Sequence, residues 1–242
     1  MKKKKVKIMK PKKPSLGFRI YRGFIKLFKK KVQFYHVGKK IEEGTLVLSN
    51  HESTKGPLAW EMFYHTKVRM MGTEEMNSGL RRMYKYQSEV YYHQKKHWNL
   101  VLAKIFCLLA SPLTCIFYKG LQLISIRDGA SLKVTVKETY TSLIEFKENV
   151  VIFPEDSEEG YFKELKGFKR GFLLICEYAH KQGYDTPIAV AYYKIDENTV
   201  LVDEPVMYSE LLKKYKTRDK IAEVLKDRCN ELGKLDHTKF NK

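Results

Sequence analysis

Asn50-His51-Glu52-Ser53 follows directly on the β-like run Thr45-Leu46-Val47-Leu48-Ser49, which places an imidazole where a strand ends. A histidine there can act as a general base, because its pKa lies near neutrality. About a hundred residues on, a second β-like run, Asn149-Val150-Val151-Ile152-Phe153, empties into Pro154-Glu155-Asp156-Ser157. In an α/β sheet the carboxyl ends of the strands line one crevice, where ligands bind. The two polar clusters are therefore candidate partners in one site.

Other residues could join them. Arg127 closes the apolar stretch that ends at Ile126, and its guanidinium could hold a phosphate through two hydrogen bonds; an ion pair with Asp128 or Glu155 is the alternative. Glu155, Asp156, Glu158 and Glu159 crowd four carboxylates before Gly160 without the spaced pattern of a cation loop. Such a run reads as a solvated or lysine-paired loop. Lys163, Lys166, Lys169 and Arg170 would offset its charge or receive an acceptor phosphate. His93 and His97 share a helix face at i, i+4, but no third ligand accompanies them, so neither a metal nor another cofactor is expected.

The elements that must position these residues alternate. Strands are expected at 45–49, 68–71, 121–126, 149–153, 187–193 and 199–202, and helices at 57–64, within 74–94, at 131–148, at 167–181 and over 208–232, the last as one helix or a pair. This alternation predicts an α/β fold: a single domain with a mostly parallel central sheet flanked by helices and right-handed crossovers. Residues 98–118 are the most apolar stretch and nearly long enough to span a bilayer. Lys104 and Pro112 argue for a buried or interfacial helix to about Ala110 and then a strand.

Four ordered blocks give the chain a resemblance to the glycerophospholipid acyltransferase family, whose members include 1-acylglycerol-3-phosphate acyltransferases. Ser49-Asn50-His51-Glu52-Ser53 resembles the first block, in which a His is followed by four residues and an Asp. Gly120 to Arg127 resembles the second, and Phe153-Pro154-Glu155-Asp156-Ser157 the third, usually Phe-Pro-Glu-Gly-Thr-Arg-Ser. Lys166-Gly167-Phe168-Lys169-Arg170-Gly171 is similar to the Phe-Lys-x-Gly that follows, and Thr186-Pro187-Ile188-Ala189-Val190 to the fourth block. Two positions depart from the pattern: Gly56 stands where the family has its Asp, and Glu158 where the third block has Arg.

The resemblance implies acyl transfer without an acyl-enzyme. His51 would take the proton of a glycerol hydroxyl, which attacks the thioester of acyl-CoA or acyl-carrier protein. Arg127, Glu155, Asp156, Ser157 and Lys169 would bind the acceptor, a lysophospholipid. With Gly56 in the Asp position, the carboxylate that orients His51 is left open among Glu52, Glu61, Glu155 and Asp156. A catalytically silent relative that binds lipid through the same fold is the alternative reading.

Charge separates the classes of partner. The formal charge of +18 looks like a nucleic-acid signal until it is located: residues 1–40 hold 16 Lys and Arg and no Asp or Glu, leaving 30 basic against 28 acidic residues. A nucleic-acid-binding domain spreads its cations over a docking face. Here they form a polybasic tail at 2–13 and a helix at 16–28, with Leu16, Ile20, Phe24 and Leu27 on one side and Arg19, Arg22, Lys26 and Lys29 on another. That pattern suits a helix lying in an anionic membrane interface. Residues 1–40 are thus expected to form a membrane-binding arm, 41–242 the α/β domain, and the protein to sit peripherally on the cytoplasmic face, without a secretory signal and without nucleic acid as partner. Cys107, Cys115, Cys176 and Cys229 lack paired spacing and read as reduced core thiols.

Overall fold

The computed structural model describes residues 11–52, 54–155 and 162–240. The chain divides into two compact units: one takes in 29–70 and 136–240, the other 11–28 and 71–135. In chain order the main elements are α1 (Leu16–Leu27), β1 (Gln33–Val37), β2 (Leu46–Ser49), α2 (Lys55–Phe63), β3 (Val68–Thr73), α3 (Leu80–Lys85), α4 (Leu100–Leu121), β4 (Ile124–Ile126), α5 (Leu132–Ile144), β5 (Asn149–Ile152), α6 (Gly171–Lys181), β6 (Pro187–Lys194), β7 (Thr199–Asp203), β8 (Val206–Met207), α7 (Tyr208–Tyr215) and α8 (Arg218–Lys234).

The sheet of the first unit runs β1-β7-β6-β2-β5-β3, with β8 beside β6. Neighbours β6, β2, β5 and β3 are mutually parallel, whereas β7 and β8 run antiparallel to β6 and β1 runs parallel to β7. The fold is thus α/β with a mostly parallel sheet and an N-terminal amphipathic helix. The central strands explain why: β2 (LVLS) and β5 (NVVI) are buried at every residue. Unbroken apolar runs of this kind belong to parallel strands covered on both faces. α8 covers β6 closely, with the Cys229 thiol donating to Ala191 O at 3.2 Å. All four cysteines are buried and free.

One buried ion pair ties β3 to α5. Arg69, 5% exposed, donates to Glu138 Oε1 at 2.8 Å and to Ser142 Oγ at 2.7 Å. A buried guanidinium is tolerated only when its donors meet acceptors in this way.

In the second unit, α1 starts at Ser15, whose Oγ accepts from the Phe18 N–H at 3.2 Å. Phe18 is the buried residue of α1 and packs at 5.7 Å, centroid to centroid, from Phe117 of α4. An added Cβ at Gly120 would meet the Phe18 ring at 2.0 Å, so only glycine permits this approach. The last residues of β3 pair in parallel with β4, Met71 opposite Ile124.

α4 corrects the expectation of a helix ending near Ala110 and a strand after it. Asn99 caps its start, accepting from Val101 and Leu102 N–H, and the helix runs unbroken through Pro112 to Leu121, where Gln122 turns left-handed. A proline costs a helix one hydrogen bond and some bending. Here the buried stripe Ala103, Cys107, Ser111, Cys115 continues past it at helical spacing, and packing along that stripe outweighs the local break. Because the helix uses residues as far as Leu121, the strand expected from 121 shrinks to Ile124–Ile126. The region 74–94 forms a 3-10 turn, α3 and a π-helical run, Tyr86–Lys95.

Candidate functional site

The site is set by register. Leu48 of β2 pairs with Ile152 of β5, and Ser49 pairs with Ala191 of β6, so β2 and β5 end within a residue of each other while β6 runs three residues further, to Lys194. Asn50, 1% exposed, extends β2 by one more step with its side chain. Its Nδ2 donates to Tyr193 O at 3.1 Å and its Oδ1 accepts from the Tyr193 N–H at 2.6 Å. Trp60 of α2 donates through Nε1 to Ser49 Oγ at 3.3 Å. The residue before His51 is therefore clamped to β6, and the one before that is tied to α2.

His51 meets the β5 end twice. Its backbone N–H donates to Glu155 Oε2 at 3.0 Å, and its ring stands edge-on to Phe153 with centroids 5.0 Å apart. Glu52 turns left-handed at φ 42°, and Lys55 and Gly56 N–H groups then donate to Glu52 O and His51 O, both at 3.2 Å, to start α2. The first and third blocks of the motif set, 104 residues apart in sequence, thus touch through His51 and Glu155. The block after the third folds back on it: Glu155 forms a β-bridge with Phe168, and the Lys169 N–H donates to Pro154 O at 2.7 Å.

Gly56, where the resemblance would place an Asp, has no room for a side chain. A Cβ there would lie 2.5 Å from His51 O and 2.9 Å from Asn50 O. These are backbone atoms of the site loop itself, so the missing carboxylate is excluded by the loop's own path. Glu155 does not replace it in kind, since its carboxylate oxygen meets the His51 main chain.

Two carboxyls at the site are pushed up from the ordinary range. For Glu155 the chief cause is burial, with the Glu52 charge adding to it and the N–H groups of His51 and Phe162 opposing it. For Glu52 burial leads again, then Asp196, opposed by Lys163 and Lys55. Lys163 and Asp196 form an exposed pair at 2.7 Å, and Tyr192 OH donates to Lys163 O at 2.5 Å. Lys163 also lines an open cleft of about 710 Å³ of mixed charge, where Lys226 pairs with Asp227 at 2.5 Å and Lys234 with Glu164 at 3.9 Å.

The other expected site residues fall in different places. Arg127 belongs to the second unit, just past β4; its N–H donates to Thr135 Oγ1 at 3.1 Å and its Nη1 to Ser125 O at 3.3 Å. Asp156 and Ser157 lie outside the described residues, as do Ser53, Glu158 and the tail before Pro11. Lys169 reaches the site through its main chain. His93 takes a local contact, Nδ1 to Trp98 O at 2.8 Å. Sequence reasoning did not single out Phe153 as the surface against the His51 ring, the Asn50 clamp or the Lys163–Asp196 pair beside Glu52. An Asn at the end of a buried strand was the one available signal, since a buried amide must find partners. No protein-family model, curated protein or solved structure matches the chain.

Proposed function

We propose that the chain is a peripheral membrane acyltransferase of the glycerophospholipid type, moving a fatty acyl group from acyl-CoA or acyl-carrier protein to the hydroxyl of a lysophospholipid such as 1-acylglycerol-3-phosphate. The observation that carries this reading is the contact between His51 and Glu155, which joins the first and third motif blocks at adjacent strand ends. In the proposed reaction a ring nitrogen of His51 takes the hydroxyl proton and the alkoxide adds to the thioester carbonyl. The tetrahedral adduct then expels the thiolate, which receives the proton from the imidazolium. An alcohol is too weak an acid to react without such a base. Glu155, Asp156, Ser157 and Lys169 are proposed to bind the acceptor. The basic arm and α1 attach the protein to the cytoplasmic face of an anionic membrane.

The closed space at Gly56 favours a second reading, a catalytically silent relative that binds lipid. In serine hydrolases, neutralising the carboxylate behind the histidine costs about 10⁴ in rate. The test is transfer of radiolabelled acyl groups from acyl-CoA and from acyl-carrier protein to lysophosphatidic acid by the intact chain and by His51→Ala. Transfer that disappears in the variant supports the first reading. Transfer that survives removes His51 from the mechanism, and an inert wild type that still binds the lysophospholipid supports the second.

A further inference from the structure

The outer face of α4 is largely apolar from Val101 to Ile116. Val101, Leu102, Ile105, Leu108, Leu109 and Leu113 are all more than half exposed, Leu109 reaching 77%. Large aliphatic side chains exposed together along one helix mark an interaction surface rather than ordinary surface scatter. Among the described residues α4 is the one helix long and apolar enough to cross a membrane. Its opposite face is committed to its own unit, where Ala103, Cys107 and Cys115 are buried and the buried Ser111 donates to Gln87 Oε1 at 2.8 Å.

Charge selects the occupant. From Val90 to Arg127 the chain holds Lys95, Lys96, Lys104, Lys119 and Arg127 and no acidic residue. α1, which packs on α4 through Phe18 and Tyr21, is likewise free of acids and carries Arg19, Arg22 and Lys26. A second copy of this face would bring lysines onto lysines, the flanking carboxylates being Glu89, which pairs with Lys85 at 4.0 Å, and Asp128. An anionic lipid surface meets both the leucines and the lysines. At the N-terminal end of α4, Tyr92, Trp98 and Phe106 form a ring cluster with centroids 4.8, 5.1 and 5.4 Å apart. Such rings are favoured at the headgroup level.

We infer that α4 lies half-immersed in the interface of an anionic bilayer, its leucine face among the acyl chains and its buried face kept on the protein, so that the helix does not span. At 22 residues it is about 33 Å long and would cover that distance along the membrane plane rather than through it. This inference is independent of the acyl transfer proposed above, and adds a second anchor to the basic arm.

The test uses the intact chain with vesicles of phosphatidylcholine alone or mixed in equal parts with phosphatidylglycerol. Of the two tryptophans, Trp98 is 41% exposed and Trp60 1%, so lipids brominated at different depths read Trp98 against an internal reference. Quenching of Trp98 strongest with bromine near the carbonyl end of the acyl chain, together with a fall of about 100-fold or more in vesicle binding for Leu109→Asp/Leu113→Asp, is the expected result. Because both leucines are exposed, the variant should keep its circular dichroism. Binding unchanged in that variant, or no quenching at any depth, overturns the inference. So does a dimer that the variant dissolves without any lipid binding, which makes the face a contact between copies. A spanning α4 would also hold Trp98 at headgroup level, so Leu109→Trp in a Trp98→Phe background reads the middle of the helix: quenching there strongest from the methyl end overturns the inference in favour of a spanning helix. Acyl transfer to a short-chain soluble lysophospholipid that persists in the variant leaves the first reading standing whichever way the binding falls.

Discussion

A Cβ at Gly56 would stand 2.5 Å from the carbonyl oxygen of His51, a distance that real Cβ contacts do not reach. The glycine and the histidine therefore depend on each other: α2 can begin where it does, under the His51 carbonyl, only while residue 56 has no side chain. The carboxylate that orients the histidine elsewhere has no route to it from this position.

Gly56→Ala should lower stability by about 1–3 kcal/mol, the usual range for forcing atoms into a filled space, although alanine is otherwise the better helix former. Gly56→Asp should cost at least as much and give no gain in acyl transfer. Urea midpoints beside the radiolabel assay check both; an aspartate variant that is as stable as the parent and more active would show that the loop opens easily.

Arg69 and Glu138 give a sharper stability contrast. Arg69→Ala should cost about 3–5 kcal/mol, since it strands a carboxylate in a mostly buried place, whereas Arg69→Met with Glu138→Leu should cost far less or nothing. Equal losses in the single and double variants would mean that the ion pair and its hydrogen bonds stabilise the β3–α5 contact in their own right, beyond sparing an unpaired carboxylate.

His36, buried in β1, is lowered from 6.5 to about 4, chiefly by burial and then by the charges of Lys40 and His65. The folded protein favours the neutral ring. Its contribution is complete above pH 6.5 and is lost as pH falls from there through 4, by roughly 3 kcal/mol in all. His36→Phe should flatten the fall in unfolding free energy over that window. Identical pH slopes for parent and variant would place the acid sensitivity in other groups.

How much of this was readable beforehand follows from the physics of each element. β2 and β5 were legible because strands buried on both faces are written as unbroken aliphatic runs, and their adjacency follows from the α/β pattern. β1 was not: Gln33 to Val37 mixes polar and aromatic residues behind a lysine run, and its burial comes from pairing with β7 and from ring contacts with Trp60, Tyr64 and His237. Pro112 misled because a local break was set against a stripe of buried residues whose partners are distant in sequence. At the site, the departure at Gly56 was visible as a letter, but its cause is the path of the loop. The choice among four carboxylates also needed coordinates, since Glu155 is 104 residues from His51 and contacts the main chain, which no side-chain pattern encodes.

Glu155 links the candidate site to pH. Its carboxyl, 8% exposed and pushed up chiefly by burial, binds its proton more tightly in the folded chain than in the unfolded one. The stability this provides is complete below the ordinary carboxylate range and is lost as pH rises through the raised folded value. Glu52, pushed in the same direction, adds to the effect. Glu155→Gln keeps an oxygen to accept the His51 N–H but cannot ionise. The variant should therefore gain on the parent as pH rises from 4 to 7, whereas Glu155→Ala should lose about 1–3 kcal/mol at pH 4 by leaving that N–H unmet, a deficit that shrinks as pH rises because alanine cannot ionise either. Urea unfolding of the three chains across this range decides the matter. If the glutamine variant tracks the parent in parallel, the carboxyl ionises in the folded state as easily as in water, and its place beside His51 is that of a hydrogen-bond acceptor alone.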